Sequence, residues 1–257
     1  MKNHYEDLRE WLGQVDAIGE LGHVRGADWN LEIGGLSEID YKKRGPALLF
    51  DQIKGYPAGY RVLTSSTNSA RRFGLTLRMG ADHTDASLVA SLRGMPNQWE
   101  KASKDFDPVY VESGPVFENV MEGGDVDLLK FPTPFWHAMD GGRYIGTGVA
   151  VATVDPEDGW VNLGAYRSML MDRNHVTLAA VPGKHGYIHN QKWMEREGRA
   201  PVAIHIGMDP LFMVIGGVEV AAGISELNYA GAIRGEPVKV VKSTVTGLPI
   251  IAGAEIV

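Results

Sequence analysis

The run VNLGAYRSMLM, residues 161–171, sets an amide, Asn162, and a guanidinium, Arg167, five positions apart in a strand-like stretch. Strand side chains alternate faces with period two, so an odd spacing puts the two on opposite sides of a regular strand. They can serve one site only if the strand is broken. Gly164 lies between them and permits a bulge or kink that re-aims the side chains after it. On pattern alone a plainer reading fits as well, with Asn162 a turn residue and Arg167 a solvated strand charge.

Three more side chains carry chemistry. His185 and His189 in KHGYIH are four apart, the spacing at which two helical histidines can share a metal. No Glu follows the first of them as in HExxH, and Gly186 places His185 ahead of the helix rather than on it. Glu226 follows Ser225, where a carboxylate in the first helical turn also simply complements the helix dipole. Taken together, Asn162, His185 and Glu226 offer an amide oxygen, an imidazole and a carboxylate. That hard and borderline set suits Mn²⁺, or Mg²⁺, holding a phosphate, with Arg167 near the other end of whatever carries it.

The elements that must position these residues fall into two textures. Tyr5, Leu8, Leu12, Val15 and Ile18 recur at helical spacing and predict a helix over 4–19. Residues 46–53 and 60–66 read as strands, TNSARRFGL and HTDASLVASLRGM as helices, giving a mixed α/β unit over about the first 110 residues. Gly, Pro and short apolar pieces then mark a boundary near 112–125. Beyond it, 146–154, 160–171 and 175–181 predict three strands joined by the turn-formers DPEDG and DRN as an antiparallel meander. A helix ending at Gly198 comes next, then a strand at PVAIHIG, a helix capped by Ser225 and closed by Gly235, and two final strands. The fold class is therefore α+β, an N-terminal mixed α/β domain over 1–115 and a β-rich domain over 116–257.

Composition narrows the function classes. The 257-residue chain carries 44% hydrophobic and 22% charged residues, the balance of a globular protein. A net charge of −7 gives no footprint for a phosphate backbone, which sets nucleic acid aside. The absence of cysteine removes disulfides, thiolate metal sites and cysteine nucleophiles. Neither a signal peptide nor a membrane-spanning run is visible, so the expected location is cytoplasmic. Gly141–Gly142, Gly216–Gly217 and the GTG at 146–148 complete neither GxGxxG nor GxxxxGK[ST], and no GxSxG elbow occurs.

The stretches DGGRYIGTGVAVATVDPEDGWVNLGAYRSMLMDRNH, PGKHG, GISELNYAGAIRGEPVKVVKS and AEIV resemble the UbiD family of reversible decarboxylases. Looser similarity in RGPALLFDQIKGYP and RVLTSSTNSARRFGL extends it over nearly the whole chain. The resemblance implies a split β-barrel flavin-binding domain after the N-terminal one. It implies prenylated FMN, supplied by a flavin prenyltransferase, with a divalent metal and K⁺. Asn162, His185 and Glu226 then take the metal-ligand places, Ala165, Tyr166, Arg167 and Lys184 line the cofactor, and Arg167 orients the substrate carboxylate. The implied chemistry is non-oxidative decarboxylation of an aromatic, heteroaromatic or α,β-unsaturated acid by a homo-oligomer. The family's catalytic Glu pair is expected just beyond Val257, with the C-terminal domain and its cofactor lysine, because Glu255 matches the earlier S-E-[IM]-V motif. Two alternatives stand beside this: a non-catalytic flavin-binding subunit needing a partner chain, and a split-barrel reductase using ordinary FMN.

Overall fold

The computed structural model describes residues 4–257. Asp7 accepts the Glu10 N–H and starts α1 (Leu8–Ala17), whose Trp11, Leu12 and Val15 are buried. The sequence predicts this helix from residue 4, but the capping carboxylate sets its start later. β1 (Leu21–Arg25), α2 (Glu32–Lys43) and β2 (Ala47–Asp51) form a parallel crossover, and β3 (Val62–Thr64) adds antiparallel to β2. Tyr5, Trp11, Val15, Ala47, Leu49 and Leu75 form the core beneath α1.

α3 (Ala70–Thr76), α4 (Asp85–Leu92) and α5 (Met95–Ala102) come next, then β4 (Val109–Tyr110), which pairs in parallel with a strand near the end of the chain. The β-rich region begins with β5 (Tyr144–Gly146) and β6 (Val149–Val154). Five of the six β6 residues are buried, so both its faces are covered. Its alternation sends Ala150 and Ala152 to one core and Val149 and Val151 to another. Each buried valine contributes roughly 1.5–3 kcal/mol.

β7 (Val161–Gly164) returns antiparallel beside β6 and stops at Gly164, and β8 (Ser168–Met169) pairs instead with β5. The predicted meander is thus corrected. Residues 175–181 form no strand, only an isolated bridge from Val176 to Leu170. With β8 two residues long, the run has too short a neighbour for a ladder, and its bonds to that side include Thr177 N–H to Met169 and Ala179 N–H to Arg167.

α6 (His185–Glu197) ends at Gly198 in the left-handed conformation, and β9 (Ala203–Ile206) covers the other edge of β6. α7 (Pro210–Gly216) is capped by Asp209, and α8 (Glu226–Arg234) is capped by Ser225 and closed by Gly235. β10 (Lys239–Lys242) and β11 (Pro249–Ile251) form the last sheet with β4. The architecture is mixed α+β, with small open sheets of two or three strands. No helix among the described residues is long and apolar enough to cross a membrane.

Asp209 ties the ends of the chain together. Its Oδ1 accepts the Tyr5 O–H at 2.9 Å and the Leu211 N–H at 2.9 Å. Its Oδ2 accepts from Arg78 at 2.7 Å and Arg234 at 3.2 Å.

Candidate flavin phosphate and metal site

β7 is the floor of the site. Thr153 and Asn162 are direct cross-strand partners on β6 and β7, so their side chains share a face. Asn162 is buried, and its Nδ2 donates to Thr153 Oγ1 and to the Tyr166 hydroxyl, each at 3.4 Å. The Tyr166 hydroxyl also accepts the Gly186 N–H at 3.0 Å, which brings the first turn of α6 alongside Asn162. Asn162 Oδ1 receives no hydrogen bond from the described residues.

His185 is the first residue of α6, not a residue ahead of it as its glycine neighbour suggested. Gly186 is there for space: a Cβ on it would lie 2.6 Å from the Tyr166 ring. The indole of Trp160, two residues before Asn162, packs edge-on against the His185 and His189 rings at 4.8 and 5.0 Å. His189 turns away from His185 into the protein, where Nδ1 meets Thr153 Oγ1 at 3.1 Å. The two histidines therefore do not form a shared pair.

Glu226 opens α8 and is buried against β7, its Oε2 accepting the Leu163 N–H at 2.6 Å. Burial pushes its carboxyl up to about 7, against the lowering effect of that hydrogen bond. No cationic side chain among the described residues pairs with it. Asn162 of β7, His185 of α6 and Glu226 of α8 thus come from three separate elements, with Glu226 joined to β7 at Leu163 and the start of α6 joined to Asn162 through the Tyr166 hydroxyl.

The break after Gly164 carries the rest. Ala165 N–H donates to the Gly216 carbonyl at 2.8 Å, seating residues 164–167 beside the end of α7. Ala165 and Arg167 are exposed, Tyr166 is buried between them, and Lys184 stands exposed at the N-cap of α6. Arg167 makes no ion pair among the described residues. Gly216–Gly217, noticed in the sequence only as an incomplete glycine motif, is the backbone rim opposite Ala165. Its signal was the glycine pair closing an apolar run behind Asp-Pro.

These residues fit a divalent metal and a phosphate on their own chemistry. Asn162 Oδ1 is free to ligate, Glu226 is a buried carboxylate without a counter-cation, and the Lys184 side chain does not cap α6, whose Gly186 N–H is taken by Tyr166. A separate cleft of about 450 Å³ touches this region through Trp160 and Ser225 but is not lined by Asn162, Arg167 or His185. The one trio of acidic and imidazole side chains found within 4.8 Å among the described residues, His4, Glu6 and Glu236, lies elsewhere. Lys239 and Arg234 already neutralise it.

Residues 109–257 match the 3-octaprenyl-4-hydroxybenzoate carboxy-lyase Rift-related domain, and residues 12–92 match the N-terminal domain of the same proteins. The pyrrole-2-carboxylic acid decarboxylase of Pseudomonas aeruginosa is 35% identical over 98% of this chain and 51% of its own length. The vanillic acid decarboxylase structure from Sedimentibacter hydroxybenzoicus, in closed form, superposes with a TM-score of 0.88 at 28% identity, covering 98% of this chain and 53% of that one. An evolved dimeric form of HmfF from Pelotomaculum thermopropionicum in complex with prFMN gives 0.81 at 26% identity, covering 97% and 56%. The chain spans about half the length of the relatives it matches. By these matches over most of its residues, the chain belongs to the UbiD family.

Proposed function

We propose that this chain is the N-terminal and flavin-binding portion of a decarboxylase for an aromatic, heteroaromatic or α,β-unsaturated acid. In this reading 1–115 is the N-terminal domain and 116–257 a split β-barrel that binds prenylated FMN. The observation that supports it is the placing of buried Asn162 beside the first turn of α6 through the Tyr166 hydroxyl, with buried Glu226 on the adjoining Leu163 N–H. Asn162, His185 and Glu226 would hold Mn²⁺, or Mg²⁺, against the flavin phosphate, with Lys184 adding a cation. K⁺ would sit on neighbouring backbone carbonyls.

When bound, the prenylated flavin supplies the electron sink for the charge left as CO₂ departs. The exposed loop 165–167 would lie along the flavin, with Tyr166 fixing its path. Arg167 would hold the substrate carboxylate in a charge-assisted pair, since a guanidinium offers two parallel donors. The names of the relatives, which act on pyrrole-2-carboxylic and vanillic acids, favour a small planar ring acid. In this reading the returning proton comes from a carboxyl outside the described residues or on a partner chain. A flavin-binding unit that turns over only with such a partner is the second reading.

The test is co-expression with a flavin prenyltransferase in manganese-replete medium, with absorbance and mass measurement of the extracted flavin. Prenylated FMN bound in stoichiometric amount is expected. Ordinary FMN, or no flavin, overturns the reading and turns attention to the reductase alternative.

A further inference from the structure

Resting on the metal reading above, we propose that Thr153 and His189 are positioning residues that lock the Asn162 amide with its nitrogen inward and its oxygen toward the metal. An amide has a donor end and an acceptor end of nearly the same shape, so its orientation must be imposed by neighbours of fixed polarity. A hydroxyl does not have fixed polarity. Thr153 Oγ1 can donate or accept, and alone it would tolerate Asn162 either way round.

His189 removes that freedom. Its ring is 1% exposed, and burial depresses its basicity, with the nearby Asp155 carboxylate opposing, so it is a neutral imidazole. Nε2 lies 3.9 Å from Asp155 Oδ2 and meets no other polar partner. The carboxylate attracts the N–H to that nitrogen and is itself fixed by Lys192 at 2.7 Å. Nδ1 is then the acceptor, and it takes the Thr153 O–H across 3.1 Å. With its proton committed, Thr153 can only accept from Asn162, and the amide nitrogen must face it.

The Tyr166 hydroxyl, 3.4 Å from the same nitrogen, can accept from it in this orientation but, like Thr153 alone, does not impose it. Lys192, Asp155, His189, Thr153 and Asn162 form one polar line from the surface to the site. None of the first four would touch metal or flavin. Outer partners of this kind change metal affinity by about 10- to 100-fold.

Titration of the 257-residue chain with MnCl₂ in the presence of FMN, tracking free Mn²⁺ by EPR, tests this against Asn162→Ala as reference. Thr153→Val, isosteric but without the hydroxyl, should weaken Mn²⁺ binding about 10-fold in protein that circular dichroism shows to be folded. Thr153→Ser should restore it, and His189→Leu should behave like Thr153→Val. Thr153→Ala carries the same test if the valine variant does not fold. Wild-type affinity in Thr153→Val, or a serine variant as weak as the valine one, overturns the proposal while the metal site stands. Wild-type affinity in Asn162→Ala overturns the metal reading itself, and this proposal with it.

Discussion

The Glu226 carboxylate accepts the Leu163 N–H at 2.6 Å, joining the first turn of α8 to the strand that carries Asn162. Burial outweighs that hydrogen bond and lifts the carboxyl to about 7, above the 4.5 of an unfolded chain. A raised carboxyl favours the folded state at low pH and loses that contribution as pH rises through about 7. Metal-free protein should therefore melt lower at pH 8 than at pH 5 through this group, by a few kcal/mol at most. Glu226→Gln should flatten that difference, read by thermal denaturation in EDTA. Mn²⁺ should reverse the trend in the wild type, since a ligand carboxyl must lose its proton.

The Arg167 side chain is exposed and unpaired among the described residues, and the fold uses only its backbone carbonyl, which accepts from Ala179. Arg167→Ala should shift stability by less than about 0.5 kcal/mol. Flavin-loaded, fully assembled enzyme should lose roughly 100-fold or more in kcat/KM for its acid. Paired melting curves and turnover assays check both halves of this expectation.

Gly186→Ala places a methyl group 2.6 Å from the Tyr166 ring, whose hydroxyl holds the start of α6. The ring must shift or the helix must retreat. A cost of about 1–3 kcal/mol is expected, together with loss of flavin through gel filtration. Retention of the flavin at wild-type stoichiometry would count against Tyr166 as the support of this loop.

Asp209→Ala strands the Arg78 guanidinium, which is 8% exposed, and leaves Arg234, which shares its Oδ2, with Glu236 and Glu6 alone. Removing one partner of such a buried cluster costs about 3–5 kcal/mol. Urea unfolding should show that loss in a single transition, because Tyr5 and Arg234 hang from the same carboxylate.

His205 is fully buried, and desolvation drives its imidazole down to about 4. A depressed imidazole supports the fold above the unfolded value of 6.5 and forfeits that support as pH falls toward 4. Roughly 3 kcal/mol should disappear over this window. His205→Asn, which can still donate to Ala150 O, should lose much less between pH 7 and pH 4.5 by equilibrium denaturation.

The sequence made visible those features whose causes are local. Ser225, Gly198 and Gly235 announce helix ends because capping and left-handed backbone are single-residue properties. The break at Gly164 was legible for the same reason, as two polar residues at odd spacing around a glycine. The run 175–181 misled because alternation shows only that a strand is possible, whereas a ladder needs a neighbour of matching length. α7 escaped because a segment buried nearly all round shows no period of 3.6, although Asp209 and Pro210 mark its start. Asn162 and Glu226 lie far apart along the chain, and only the packing of α8 on β7 makes them neighbours.

The contact between Ala165 and Gly216 is made by backbone atoms alone. Its geometry is therefore indifferent to the side chains around it. Residues 165, 167, 217 and 218 can be exchanged without dismantling the loop that presents them. Such a rim separates heritable tuning of the exposed side chains from the architecture that presents them.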